Sequence, residues 1–355
     1  MTEKKRILLI YPPSPVMNRE DRCQQPTKDL IVIPPLPPTD LMYLASVAEQ
    51  IGFEAKIEDY SQGGDLEYDL REFRPDYLVV NIATPTLEND LDAVKRAKEL
   101  NPHIVTIAKG AAFLTLGEKI LKEHDFLDFG ILGEAEDTLK EILEGRDKSE
   151  ILGIYYCEKG EVKFTGKRPF IEDLDRLPFP ARHLVDNNIY RRPDNNKVQA
   201  TIKVERGCPF HCFFCLATPV SGAKVRRRSA ENIVSEIREC VEKYNIRNFL
   251  FWSDIFNLDK EWTMNLCQAI IDSGLKITWS ANTRADTADL EMAKLMYKSG
   301  CRLVSIGVES GSQEMLEKMG KKITLDDVRN TVKIFKQAKI RIYNYFVIGL
   351  PWETE

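Results

Sequence analysis

The feature that most constrains the fold of this chain is its repeated alternation of short apolar runs with longer amphipathic stretches. An apolar run at Arg6 to Tyr11 is closed by Pro12-Pro13, the pattern of a buried strand ended by a turn. A helix is expected from Thr39 to Gln50, with Thr39 or Asp40 as its cap and Gly52 at its C-terminal turn, and Glu54 to Glu58 alternates like the next strand. Tyr77 to Ile82, Ile104 to Ala108 and Phe129 to Leu132 read as further strands, separated by helices at Leu87 to Leu100 and Leu116 to Glu123. Strands separated by helices predict a parallel sheet covered on both faces, which receives ligands at the carboxyl ends of its strands.

Residues 1–148 are therefore expected to form a Rossmann-like α/β domain. The chain's 355 residues exceed the roughly 250 to 300 at which a single core stops growing, so a second domain should follow. Over 149–197 the alternation gives way to a hairpin turning at Lys159-Gly160 and a stretch bearing Pro169, Pro178 and Pro180, which reads as an interdomain linker with some structure of its own. The alternation resumes over 198–355. Strands at Gln199 to Val204, Asn248 to Trp252, Ile277 to Ala281, Leu303 to Val308 and Ile342 to Ile348 are separated by helices at Ala230 to Tyr244, Lys260 to Ser273, Ala288 to Ser299 and Leu325 to Ala338. That order predicts a partial (β/α) barrel with functional residues at the strand carboxyl ends. Glu355 follows closely on a strand and the Gly349-Leu350-Pro351 turn, an ending expected of a truncated barrel.

A formal charge of -5 creates no strong field for nucleic acid or an anionic membrane, and no apolar run approaches the ~20 residues that span a bilayer. A cytoplasmic protein is expected. Its eight cysteines should then stay reduced. Cys23, Cys157, Cys240, Cys267 and Cys301 are scattered and read as small apolar side chains or incidental thiols.

Cys208, Cys212 and Cys215 fall within eight residues, in a loop that can wrap one metal centre. Soft thiolates suit an iron-sulfur cluster or zinc, and three ligands to a four-iron cube leave one iron open. A structural zinc site needs a fourth ligand, and His211, between two of the cysteines, is poorly placed to supply it; three unligated cysteines are the other alternative.

The run Arg206-Gly207-Cys208-Pro209-Phe210-His211-Cys212-Phe213-Phe214-Cys215 resembles the cluster motif of radical S-adenosylmethionine enzymes. The resemblance implies a [4Fe-4S] cluster on the three cysteines and S-adenosylmethionine chelating the open iron. Reductive cleavage of its C5′–S bond, fed by a cellular electron donor, would yield a 5′-deoxyadenosyl radical. Phe214 resembles the aromatic residue that contacts adenine. Trp252-Ser253-Asp254, Asn282-Thr283-Arg284, the run from Gly307 to Ser312 and the run from Phe346 to Pro351 stand at expected strand ends. There Asp254 and Glu309 can meet the methionyl amine or ribose, Arg284 the carboxylate, Gly349 can admit close backbone approach, and Ser310 is a further candidate for cofactor binding. Loop capping or surface charge is the alternative for each of them taken singly.

Ile7 to Pro13, Pro34 to Pro38, Thr84-Pro85-Thr86, Lys109-Gly110-Ala111 and Gly133-Glu134-Ala135-Glu136 are similar to the cobalamin-binding domain often fused ahead of this barrel. The similarity implies cobalamin contacts at Tyr11, Thr84, Thr86, Gly110, Gly133 and Glu134. The Asp-x-His-x-x-Gly motif that supplies a lower-face ligand to cobalt elsewhere is absent, and His103 and His124 read as exposed turn residues. Any cobalamin is thus expected to lack a histidine ligand. The alternative is a domain that kept the fold and lost the cofactor.

The fusion implies methyl transfer to a poorly activated carbon of a small molecule, lipid or natural product. Radical cyclisation, oxidation or rearrangement is the second enzyme reading, and an inactive fragment or binding module the third. Methylthiolation of transfer RNA would ask for a second cysteine set and a basic module. Only Cys23 and Cys157 precede the motif, and Arg226-Arg227-Arg228 reads as the lead into a helix capped by Ser229, so nucleic acid is not an expected partner.

Overall fold

Ile7, Leu8, Leu9 and Ile10 are all fully buried in β1 (Arg6–Tyr11), as in a strand covered on both faces. Ile7 and Leu9 enter one core, Leu8 and Ile10 the other. The structure, a computed structural model, describes residues 4–13, 17–20, 23–26, 36–192 and 194–353. Pro34 and Pro35 of the cobalamin-type signature lie outside the described residues.

The chain divides into two compact units, Met1–Ile171 with Arg176–Ile189, and Glu172–Asp175 with Tyr190–Glu355. In the first, β1 is followed by an antiparallel pair, β2 (Met17–Glu20) and β3 (Cys23–Pro26). Then come α1 (Thr39–Gln50), β4 (Glu54–Asp59), α2 (Leu66–Phe73), β5 (Tyr77–Asn81), α3 (Leu87–Leu100), β6 (Val105–Lys109), α4 (Phe113–Glu123), β7 (Phe129–Ile131) and α5 (Glu136–Leu143). The strands are parallel in the order β4-β1-β5-β6-β7, and the antiparallel pair β8 (Ile154–Glu158) and β9 (Glu161–Phe164) extends the β7 edge. Counting the helix-linked strands alone gives the doubly wound order 2-1-3-4-5, whose switch point lies at the carboxyl ends of β1 and β5.

Gly52 at φ +92 occupies its expected C-terminal turn. The expected cap of α1 does not form. Thr39 Oγ1 donates back to Pro37 O at 3.2 Å, and the carboxylate of Asp40 is taken by Lys109 at 3.1 Å. Lys159 and Gly160, both at positive φ, make the hairpin turn that lets β9 fold back on β8. Beyond it the proline-bearing stretch packs on α1: Ser46 Oγ donates to Phe179 O at 2.6 Å and Ala181 N to Met42 O at 3.1 Å.

The second unit contains β10 (Gln199–Lys203), β11 (Glu205–Arg206), α6 (Ala217–Ser221), β12 (Arg226–Arg227), α7 (Ala230–Tyr244), β13 (Asn248–Trp252), α8 (Lys260–Asp272), β14 (Thr278–Thr283), α9 (Leu290–Lys298), β15 (Cys301–Glu309), α10 (Gln313–Lys318), α11 (Leu325–Gln337) and β16 (Arg341–Phe346). Its main sheet is parallel in the order β10-β13-β14-β15-β16, so each strand adds beside the last in one direction, as in a barrel wall. Phe251, Phe256 and Trp279 stack within 4.7 to 6.0 Å of one another in its core, where Cys240, Cys267 and Cys301 are buried as small apolar side chains. Of the three consecutive arginines, Arg226 and Arg228 are buried and Arg227 is half-buried. Arg226 donates to Ser221 O, Arg227 pairs with Glu205, and Arg228 pairs with Glu236, while Ser229 caps α7 through Asn232 N.

Candidate functional site

The antiparallel pair β11 and β12 closes the two ends of the cysteine loop like a clasp. Gly207 opens the loop at φ +105, where an added Cβ would stand 2.2 Å from Lys224 O, so only glycine permits the turn. Gly207 N donates to Asp254 Oδ2 at 2.9 Å, and Cys208 N to Gly222 O at 3.0 Å. Thr218 Oγ1 bridges Cys208 O and Phe210 O, and Cys215 N donates to Cys212 O at 3.1 Å. The loop therefore carries its own hydrogen-bond scaffold.

Cys208 is buried, packed with Ala217 and Ile255, while Cys212 and Cys215 are half-buried. Burial above all, with the charges of Asp254, Cys215 and Cys212, pushes the Cys208 thiol up to about 11, so a metal must displace its proton to bind. Among the described residues, no three His, Cys, Asp or Glu side chains are arranged to hold a single metal ion. A four-iron cube takes each thiolate on a separate iron and does not require three thiols to converge on one point. The donor set, three thiols on one scaffolded loop, fits the cluster.

A segment that sequence reasoning passed over backs this loop. Phe213 N donates to Met319 O at 2.9 Å, Lys321 Nζ lies 5.9 Å from the centre of the Phe214 ring, and Phe213 meets Trp352 at 5.1 Å. Lys321 is buried and paired with Glu309 at 2.7 Å; Glu309 itself is held at φ +67, at the irregularity in the β15–β16 register. A Cβ on Gly307 would stand 2.4 Å from Glu309 Oε1 and 2.8 Å from Lys321 Nζ, so the glycine makes room for the pair.

Arg284 is 4% exposed and lies over the Phe210 ring at 3.8 Å. It donates to Lys321 O and, at 3.2 Å, to Lys322 O, with Asp286 2.7 Å from its Nε. Asp254, Arg284 and Glu309 thus all hold loops together around the cysteines. Ser310 Oγ accepts from Ser312 N, and Gly349 sits at φ +89 in a turn whose N–H donates to Glu353. The unanticipated members are Lys321 and Glu205. Glu205 is buried three residues before Cys208, and burial above all pushes its carboxyl up to about 7 against the opposing pull of Arg227.

In the first unit, Tyr11 ends β1, Thr84 and Thr86 follow β5, Gly110 follows β6, and Gly133 and Glu134 follow β7, all at the carboxyl edge of the sheet. Thr86 Oγ1 donates to Asp90 Oδ2 in the first turn of α3, and Glu134 Oε2 accepts from Ile171 N. Gly110 packs against Ile82 O too closely for any Cβ. Gly133, at φ +90, has open space where a Cβ would be, the setting in which a broad flat ring can approach backbone. His103 and His124 precede β6 and β7 and so lie at the opposite, amino edge.

The chain matches the model of the radical SAM superfamily over residues 202–355 and that of the B12 binding domain over 34–143. It is 30% identical to the uncharacterized methyltransferase PH0819 of Pyrococcus horikoshii, covering 92% of this chain and 75% of that protein. It is 28% identical to the anaerobic magnesium-protoporphyrin IX monomethyl ester cyclase of Rubrivivax gelatinosus, over 90% of this chain and 60% of the cyclase. Among solved structures, the radical S-adenosylmethionine methyltransferase TsrM of Kitasatospora setae, with cobalamin and a [4Fe-4S] cluster bound, superposes with a TM-score of 0.77 at 20% identity, over 99% of this chain and 68% of that one, a likeness of fold. With both models matched in order along one chain and a relative at 30% identity across nearly all of it, the chain belongs to the radical S-adenosylmethionine enzymes that carry a cobalamin-binding domain.

Proposed function

We propose that this enzyme transfers a methyl group to a poorly activated carbon of a small molecule, lipid or natural product. One observation carries the reading: a single chain presents a scaffolded three-thiol loop and a 2-1-3-4-5 sheet with an open glycine at its carboxyl edge. The methyltransferase names of the Pyrococcus and Kitasatospora proteins support it. When bound, the cluster with S-adenosylmethionine supplies a 5′-deoxyadenosyl radical, and cobalamin supplies the methyl group.

In this reading Cys208, Cys212 and Cys215 ligate the cluster, and Phe214 packs against adenine. Asp254, Glu309, Ser310 and Gly349 shape the S-adenosylmethionine side, while Arg284 and Lys321 hold the loops that frame it. Tyr11, Thr84, Thr86, Gly110, Gly133 and Glu134 shape the cobalamin side. Ile255 and Ala217 keep water from Cys208. A cytoplasmic setting with a cellular electron donor completes the proposal; no helix among the described residues is long and apolar enough to cross a membrane.

The likeness to the cyclase supports a second reading, radical chemistry without methyl transfer. Anaerobic reconstitution followed by reduction with methyl-labelled S-adenosylmethionine separates the two. Methyl transfer predicts about four irons, bound cobalamin that takes up the label, and S-adenosylhomocysteine beside 5′-deoxyadenosine. Four irons, no cobalt and 5′-deoxyadenosine alone would overturn it in favour of the second reading.

A further inference from the structure

Glu205 has no place among the cluster ligands, yet its side chain is 1% exposed, at the mouth of the cysteine loop. A buried carboxylate is costly unless its oxygens are satisfied, and a buried ion pair often adds little to stability over a well-packed apolar pair. What such a pair does supply is geometry. Glu205 Oε2 accepts from Arg227 Nε at 3.1 Å, and Oε1 accepts from Ile255 N at 3.3 Å. Two residues along, the bond runs the other way, from Gly207 N to Asp254 Oδ2 at 2.9 Å. The side chain of 205 holds the backbone of 255, and the side chain of 254 holds the backbone of 207. Between these bonds the Ile255 side chain packs on Cys208. Arg227 also reaches Asp259, the cap of α8, at 3.4 Å and lies over the Trp262 ring, so the arrangement is anchored to a helix terminus.

We propose that Glu205 is a positioning residue for the cluster: with Asp254 it forms a reciprocal clasp between the strand entering the cysteine loop and the segment after β13, which fixes Cys208 where it ligates iron. The inference rests on the cluster assignment above. Without the clasp, Cys208 remains a ligand but its backbone is no longer held against Ile255, so the cluster is shed faster.

The test is the rate at which the anaerobically reconstituted full chain loses its visible cluster absorbance to an iron chelator, with the electron paramagnetic resonance spectrum of the reduced cluster as a second readout. Glu205→Ala should shed the cluster about tenfold faster than wild type and change the line shape, as expected for loss of one charge-assisted hydrogen bond to backbone. Glu205→Gln should stay within about threefold, because its amide oxygen still accepts from Ile255 N. Asp194→Ala serves as control: it breaks the pairs with Arg192 and with Arg341 at the amino end of β16, away from the cysteine loop, and should lower the melting temperature without changing cluster loss. If Glu205→Ala fails to fold, Glu205→Asp takes its place, since the shorter side chain cannot reach Ile255 N. Cluster loss in the Glu205→Ala or Glu205→Asp variant no faster than in wild type or in Asp194→Ala would overturn the clasp. A wild-type chain that takes up no iron would instead overturn the cluster assignment, and the clasp with it.

Discussion

Replacing Lys321 by methionine should be among the most damaging single changes in the second unit. The side chain is buried, its ammonium is 2.7 Å from Glu309 Oε1, and its carbonyl accepts from the buried Arg284. Methionine keeps the apolar stem and removes the charge, leaving the Glu309 carboxylate buried without its partner. Removing one member of a buried ion pair costs about 3 to 5 kcal/mol. In a unit of this size each kcal/mol moves the melting temperature by roughly 2 to 4 °C, so a fall of roughly 6 to 20 °C is expected. All four tryptophans, Trp252, Trp262, Trp279 and Trp352, lie in this unit, so their emission during heating of the cluster-free chain reports it alone. Lys321→Met/Glu309→Gln has no orphaned charge and should recover more than half of the loss. A single variant melting within about 2 °C of wild type, or a double variant falling as far as the two single changes summed, would show that the pair does not hold this part of the fold.

Gly207→Ala places a Cβ 2.2 Å from Lys224 O at φ +105; reconstituted iron should fall to less than half of wild type, and full occupancy would mean the loop tolerates another opening. Glu205 carries a pH signature. An acid raised to about 7 in the fold, above the 4.5 of the free side chain, binds its proton more tightly when folded, so its contribution is fully present below pH 4.5 and is lost as pH rises through 7. That shift corresponds to about 3 kcal/mol, and Glu205→Gln should flatten the fall in stability between pH 5 and 8; an unchanged slope refutes it. Asp194 behaves oppositely. Arg192 and Arg341 hold its carboxyl down at about 2, so its contribution is present above pH 3.8 and is lost as pH falls towards 2. Asp194→Asn should therefore unfold in acid with a shallower pH dependence in tryptophan emission, and an identical acid transition would refute the linkage.

Much of the architecture was legible because periodicity is local. The Ile7 to Ile10 run announced a strand covered on both faces, and Ser229 announced the start of α7. Where packing decides, the reading slipped. Helix α2 buries only Leu66, Asp69 and Leu70 and offers too few apolar positions for a period, although its cap Asp65, which accepts from Glu67 N and Tyr68 N, was in plain view. Ile348 looks like the interior end of a strand; the strand stops at Phe346 and Ile348 is 90% exposed. Pro178 and Pro180 read as linker because nothing in their sequence reveals that α1 bonds the carbonyl of Phe179.

The same division separates the parts of the site. Cys208, Cys212 and Cys215 could be found because one short loop holds all three, whereas the groups that steady them come from far along the chain. Gly207 and Asp254 are 47 residues apart, Glu205 and Ile255 are 50 apart, and Arg284 and Lys321 are 37 apart. In isolation Asp254 and Arg284 look like ligand contacts or surface groups, and nothing in the sequence singles out Glu205 or Lys321. Burial changes the reading: a charge with almost no access to water must first satisfy a neighbour, and Arg284 spends its donors on backbone carbonyls of the segment behind the cysteines. A substitution such as Arg284→Lys, which keeps the charge and loses the fork, should therefore disturb the position of the 319–322 segment before it disturbs recognition of any carboxylate.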